Sequence, residues 1–348
     1  MTIETTIGKI TGKRVAVIGA GPAGMAAAGS LASLGIIVEW YEKDSKTGGK
    51  LNDFFKLFPD QVPASEILPV LKKSPGNSLI KNHLGITISG IEKQQNRIVL
   101  FDGKESCGEA DAVILATGFD FFDARLKEEF GYGMYKHVVT SVDLEKMLPE
   151  GPDILRYNGK DPLSVGFVHC VGSRDEQVGV SYCSRLCCIT GIKQAIEIKE
   201  LLPSARVYNF YIDIRAFGKG FEELYREAQE VHGVRFIRGR VSEASEDQDQ
   251  RIRVKAEDTL MARPMKLTVD WLVLLVGMIP ACTSVNLNNV ENHKEFIKPE
   301  NPLICNAVNG MPGVFAAGCC TGPMNIPESV ASGRAAAIQA IQYLSGLN

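Results

Sequence analysis

Residues 13–24 read KRVAVIGAGPAG, and MAAAGSLASLG follows at 25–35. A short apolar strand runs straight into glycines at 19, 21 and 24, and an alanine-rich helix leaves them. Gly19 permits a tight turn, Gly21 lets backbone approach a pyrophosphate, and Gly24 lets helix and strand pack closely. The helix start then offers unpaired N–H groups and the positive end of its dipole to phosphates. The next strand, IIVEWYEK at 36–43, carries Glu42 near its end, about twenty residues beyond the first glycine, where such sites hold a ribose. This strand–turn–helix–strand context separates a dinucleotide site from a glycine-rich turn without a ligand. It sets the fold class as α/β and Rossmann-like.

Composition narrows the setting. The chain has 348 residues, 45% of them hydrophobic, and a net charge of −3. That length predicts more than one domain. No basic stripe points to nucleic acid or an anionic membrane. The N-terminal stretch lacks the pattern of a signal peptide. The longest apolar run, WLVLLVGMIPA at 271–281, is too short to span a bilayer as a helix. The expectation is a cytoplasmic protein with no direct membrane insertion. Structural disulfides among the nine cysteines are not expected there. Cys107, Cys282 and Cys305 are scattered, Cys319 and Cys320 are adjacent, and Cys170, Cys183, Cys187 and Cys188 fall close together.

Along the chain, residues 44–85 read as irregular, two strands follow as a hairpin or meander, and ADAVILATGFD at 110–120 is a buried strand. Thr47-Gly48-Gly49-Lys50 resembles the GG turn of flavoprotein disulfide reductases. Ala116-Thr117-Gly118 resembles their ATG turn, and Gly313–Gly318 with the helix after it resembles their second FAD segment. These features favour FAD over NAD at the first turn. The resemblance implies two Rossmann-like domains of the thioredoxin-reductase type, the second inserted in the first. Residues 1–162 and 279–348 form the expected FAD domain, and 163–278 the insertion. Where that family has Asp after the last glycine of the second segment, this chain has Cys319. A thiol is a poor acceptor by comparison.

The inserted unit opens on a strand at 164–168 that runs into HCVGSRDEQVGVSYC. Gly172 and Gly179 have the wrong spacing for a second nucleotide fingerprint, no helix starts at once, and there is no Cys-x-x-Cys pair. The four cysteines occupy the place instead, spaced Cys-x12-Cys-x3-Cys-Cys. On a helix starting near residue 183, Cys183 and Cys187 share a face, with Cys188 beside them. Zinc, a redox disulfide and a [4Fe–4S] cluster all use thiolates. Neighbouring cysteines strain a single tetrahedral ion, whereas in a cubane each takes a different iron. Arg174 and Arg185 flank the set, either lowering the charge of a cluster or pairing with local acids.

GFVHCVGSRDE, YCSRLCCITGIKQA and YIDIRAFGKGFEELYREA resemble the A-type polypeptide of heterodisulfide reductase, and the likeness runs through nearly the whole chain. It implies that Cys170, Cys183, Cys187 and Cys188 hold a [4Fe–4S] cluster. It also implies FAD contacts from Gly19, Gly21, Pro22, Ala23, Gly24, Glu42, Lys43, Gly49, Lys50, Leu51, Ile91, Ala116, Thr117, Gly118, Gly318, Cys319, Ile326 and Pro327. Lys193 becomes a candidate catalytic charge beside the flavin, against the commoner solvated helix lysine. The chain lacks the ferredoxin-like cysteine runs of longer members and resembles the short form of sulfur-oxidizing prokaryotes. That implies an electron-transfer subunit working with Hdr B- and C-type partners, as a homodimer, in sulfur-compound redox metabolism. An NAD(P)H-dependent disulfide oxidoreductase and a flavin-binding scaffold without turnover are the competing expectations.

Overall fold

Strand β1 (Arg14–Ile18) is almost wholly buried, and its turn leads into helix α1 (Pro22–Ser33), in which proline takes the first position. Pro at that point loses no bond, because its N–H would be unpaired in any case. The computed structural model describes residues 10–73, 78–157, 164–281, 286–287 and 295–346. Cys282 and the first nine residues, which carry part of the leader expectation, lie outside the described residues. Among the described residues no helix is long and apolar enough to cross a membrane.

The chain divides into two compact units. The first holds residues 1–52, 65–120 and 279–348, and the second holds 53–64 and 121–278. The expected boundary differs in two segments: 53–64 and the described residues 121–157, expected with the first unit, pack with the second. The reason is pairing. Strand β8 (Val138–Thr140) joins the second unit's sheet in parallel register, Val138 opposite Leu272.

In the first unit a five-stranded parallel sheet is built from β1, β2 (Ile37–Glu42), β3 (Ile80–Leu84), β7 (Ala112–Leu115) and β16 (Val314–Ala316), in the order β16-β7-β1-β2-β3. Strand β3 falls in the stretch read as irregular. Its sequence, IKNHL, has three polar residues between Ile80 and Leu84 and is half-exposed, so it carries only a weak apolar signal as an edge strand. The expected meander is present as β4 (Gly90–Gln94), β5 (Arg97–Asp102) and β6 (Glu105–Ala110). Helix α1 packs on the C-terminal helix α6 (Ile326–Ser345), where a Cβ on Gly333 would lie 2.1 Å from the Ala23 carbonyl oxygen. The small residues of α1 make that approach possible.

The second unit repeats the plan. Its five-stranded parallel sheet has the order β8-β15-β9-β10-β11, with β9 (Ser164–Val171), β10 (Arg206–Tyr211), β11 (Arg235–Arg238) and β15 (Trp271–Val276). Strand β15 lies inside this second sheet beside β9. Helix α4 (Cys187–Leu201) follows β9, and helix α5 (Phe221–Glu230) follows β10. A three-stranded antiparallel sheet, β12 (Val241–Glu246), β13 (Ile252–Asp258) and β14 (Arg263–Val269), completes it.

Candidate functional site

In the first unit the expected flavin residues gather at the carboxyl ends of β1, β2 and β7. Gly19 has φ +107, and a Cβ there would lie 2.2 Å from the Ala116 carbonyl oxygen. A Cβ on Gly24 would lie 1.9 Å from the Gly19 carbonyl oxygen. These two glycines are closed to any side chain. Gly21 is the opposite: nothing lies within 4 Å of its Cβ position. It caps α1 without a side-chain bond, so the first amides of that helix are not covered by a capping group. The open space beside uncovered amides fits a pyrophosphate.

The surrounding residues follow. Glu42 is buried at the end of β2, and its Oε2 accepts the Ala20 N–H at 2.6 Å. Lys43 comes next and is exposed. The Gly48 amide bonds the Ala20 carbonyl at 2.8 Å, which lays the GG turn against the glycine turn. A Cβ on Gly49 would stand 3.0 Å from the Gly21 Cα. Lys50 reaches Asp120 at 3.5 Å, and Leu51 is buried. Thr117, in the ATG turn, has a buried hydroxyl with no hydrogen-bond partner. An orphaned hydroxyl at this edge is what a missing polar ligand leaves. Ile91 is fully buried in the apolar core that includes Leu100 and Ile98. Its side chain therefore has no surface for a ligand.

At the other end, a Cβ on Gly318 would meet the Ala23 Cβ at 2.6 Å. The Cys319 thiol donates to the Met324 carbonyl at 3.3 Å and lies 3.6 Å from the Ser329 hydroxyl. Cys320 is fully buried and donates to carbonyls of Leu115 and Ala317, which makes it a core residue. Ile326 and Pro327 open α6 behind a capping box of Asn325 and Glu328.

In the second unit the cysteines sit on a distortion of β9. Between Val168 and Val171 the register with β15 slips by one residue, a β-bulge, and Cys170 within it has φ +62. A bulge re-aims a side chain at the end of a strand. Cys170, Cys187 and Cys188 are brought into one group, with the His169 ring close enough to act on Cys188 electrostatically. Cys187 supplies the bonds to both neighbours. Its thiol is pushed up, Cys170 is brought down to about 7, and Cys188 to about 4 with help from His169. Cys183 was expected on the same helix as Cys187. Helix α4 begins only at Cys187, because Arg185 takes φ +61 and breaks the turn before it. Cys183 instead accepts the Arg185 N–H at 3.3 Å on the loop before the helix. Among the described residues no group of three or more His, Cys, Asp or Glu side chains is set to hold one metal ion.

Lys193 is not a solvated helix lysine. It is 2% exposed, and its ammonium donates to Glu145 Oε1 and, at 3.0 Å, to the Lys56 carbonyl. Glu197 lies 3.4 Å from the same ammonium. The charge expected beside a flavin is thus committed to carboxylates of the second unit. Three partners of this region escaped the sequence reading. Asn209 is fully buried and accepts from His169 Nε2 at 2.8 Å, while its own Nδ2 and His169 Nδ1 have no partner. Its signal was visible: one amide inside the apolar run VYNFY. Glu145 and Glu197 gave none, because each reads as part of an ordinary charged helix face.

The pattern of the family described as pyridine nucleotide-disulphide oxidoreductase matches residues 13–147 and 189–335. The chain belongs to that family. All four clustered cysteines fall in the stretch between the two matched parts. The chain is also 40% identical over 241 residues to the A-type polypeptide of the H(2):CoB-CoM heterodisulfide,ferredoxin reductase of Methanothermobacter thermautotrophicus, covering 67% of this chain and 37% of that protein. It is 43% identical over 235 residues to the A-type iron-sulfur polypeptide of the CoB--CoM heterodisulfide reductase of Methanocaldococcus jannaschii, covering 65% and 36%. It thus spans little more than a third of the relatives' length, and the expected likeness to the A-type polypeptide of heterodisulfide reductase is borne out, over about two-thirds of this chain rather than nearly all of it. In fold it is similar to Lactococcus lactis thioredoxin reductase, with TM-score 0.68, 16% identity, and 95% and 99% of the two chains covered. The T. acidophilum thioredoxin reductase gives 0.65 at 18% identity, covering 97% and 100%. The two-domain thioredoxin-reductase architecture is the fold expected.

Proposed function

We propose that this chain is an electron-transfer subunit that binds FAD on the first unit and a [4Fe–4S] cluster on the second, within a heterodisulfide-reductase-like complex. The observation that carries the reading is the replacement of a nucleotide turn by a bulged strand end that presents Cys170 to Cys187 and Cys188. Four thiols within nineteen residues are the donor set of a cubane. Adjacent Cys187 and Cys188 suit a cluster better than a single ion, because each takes a different iron. When bound, the flavin supplies two-electron chemistry and the cluster one-electron steps.

The chain's own residues do the rest. The α1 amides and Gly21 hold the pyrophosphate, Glu42 receives the ribose, and Thr117 offers its hydroxyl to the same ligand. Cys170, Cys183, Cys187 and Cys188 would hold the cluster. In this arrangement Lys193 braces Glu145 and the Lys56 carbonyl. B- and C-type subunits as partners, a homodimer, a cytoplasmic setting and a role in sulfur-compound metabolism belong to the same proposal, supported by the likeness to the A-type polypeptides.

Anaerobic purification tests it. The expected result is one flavin per chain with about four irons and about four acid-labile sulfides. Cys187→Ser is expected to lose the iron and keep the flavin. Full flavin with no iron in the wild type would sink the cluster. A second reading has one observation in its favour: Cys170 and Cys187 share a hydrogen bond and are candidates for a dithiol. Rapid reduction by NADPH alone, with a disulfide between these two, would establish it instead.

A further inference from the structure

Three adjacent parallel strands of the second sheet each deliver an arginine just past the carboxyl end: Arg174 after β9, Arg215 after β10 and Arg240 after β11. Arg185 adds a fourth on the loop into α4. Asp213 stands between two of them, 2.5 Å from Arg174 and 3.4 Å from Arg215. Arg240 donates to the Arg174 carbonyl at 2.9 Å. Arg185 lies over the ring of Phe217 at 5.2 Å, and that ring is 59% exposed. The next acid, Asp175, is bonded to Lys127 at 2.8 Å. Two guanidiniums thus share the Asp213 carboxylate, and the collar as a whole keeps a positive balance.

These arginines border the thiols. The Arg185 N–H bonds Cys183, the Arg215 N–H reaches Cys188, and Arg174 feels the charge of both Cys170 and Cys183. Carboxyl ends of parallel strands are where such sheets take ligands. Guanidinium forks pair carboxylates two bonds at a time, in a way that lysine does not. Redox encounters between proteins are small and transient, and charge steers them. An exposed aromatic ring among charges supplies the apolar anchor that a small interface needs.

We propose that this arginine collar, with Phe217 exposed beside Arg185, is the docking face for an acidic protein redox partner that exchanges electrons with the thiol-held centre. The inference rests on the reading of that centre as redox-active. One electron passes per encounter and no bond forms: the partner is oxidised as the centre is reduced, or the reverse.

The test uses the full anaerobic chain and, as probe, a small acidic two-cluster ferredoxin, with basic cytochrome c as control. Wild type is expected to bind the ferredoxin and not the cytochrome, with affinity falling roughly tenfold between about 50 and about 200 mM salt. Arg185→Glu/Arg215→Glu/Arg240→Glu is expected to lose at least about tenfold more, compared at equal flavin and iron loading. Arg215→Glu alone, at an exposed position, should show part of the loss if the triple variant does not fold. Unchanged affinity in the variants overturns the proposal. So does binding abolished by millimolar orthophosphate at constant ionic strength, which marks a small-anion site, or equal affinity for a short DNA. Iron analysis separates the two failures. Salt-sensitive docking to an iron-free chain keeps the collar and removes the cluster, whereas an iron-loaded chain without docking removes the collar alone.

Discussion

After β1 the chain needs three residues, 19–21, to enter a helix; after β9 it needs fifteen, 172–186. Both strands sit centrally in five-stranded parallel sheets, and both lead to helices that pack back on them. The short turn exposes backbone: amides at a helix start, and glycines that leave room for phosphate. The long turn exposes side chains, and it does so with two non-glycine residues in the left-handed region, Arg174 and Arg185, after a third, Cys170, at the end of β9. Such conformations cost about 1 kcal/mol or more each. One fold position thus serves two chemistries. A backbone cradle suits an anion, and a side-chain cage suits a soft metal centre or a thiol reaction.

The sharpest way to break the comparison is at the glycines. Gly24→Val places carbon against the Gly19 carbonyl oxygen, where there is no room, and is expected to cost about 3 kcal/mol or more and to leave almost no bound flavin. Gly21→Leu adds its side chain to open space. It is expected to melt near wild type while also losing the flavin. Flavin absorbance and thermal melting distinguish the two. Wild-type flavin content in Gly21→Leu would mean that the ligand does not lie on this turn.

The second break is Cys170→Ala, which keeps the bulge position but removes the sulfur. Loss of iron with retained flavin is expected, the mirror image of Gly21→Leu. If each variant lost both groups, the two turns would not be independent sites, and the comparison would fail as a whole.

Much of this is legible in the sequence. The glycine turn, Glu42, the ATG turn and the four cysteines are local patterns whose chemistry depends on spacing. What stays hidden depends on partners far along the chain. Helix α4 was expected to start before Cys187, because SRLCC has helical spacing, and only Arg185's left-handed backbone ends that pattern. Strand β3 has apolar residues only at its two ends and is defined by its pairing with β2, Val38 opposite Ile80. The reach of 121–157 into the second unit follows from β8 pairing with β15, across more than a hundred residues. Lys193 read either as a charge beside the flavin or as a solvated helix lysine, because helical periodicity places a charge without saying what covers it.

The helices after the two turns differ as much as the turns do. Helix α1 carries no charged residue, whereas α4 buries Lys193 and Glu197. Lys193→Met removes the cation and leaves Glu145 charged and buried. That is expected to cost about 3–5 kcal/mol. Lys193→Met/Glu145→Gln should recover a large part of it in chemical denaturation, since the uncompensated charge is gone. Equal loss in the single and double variants would show that packing, not charge, sets the cost.

Glu197 gives the smallest and most specific effect. Burial raises its carboxyl to about 8, against the pull of Lys193, whose charge Glu145 already holds closely. A carboxyl whose folded pKa lies above its unfolded value keeps its proton in the fold. Its contribution to stability is fully present below the unfolded value near 4.5 and is lost as pH rises through about 8. The wild type should therefore lose stability across that window, by an amount on the order of a few kcal/mol. Glu197→Gln cannot ionise, so its melting temperature should vary less between about pH 5 and about pH 8 and should exceed the wild type's at the upper end. Helix α1 has no group that titrates, so this slope belongs to the second unit and should survive in Gly21→Leu. Parallel melting curves for wild type and Glu197→Gln would place the ionised carboxylate in the fold at neutral pH and make Lys193 the shared counterion of two charged glutamates.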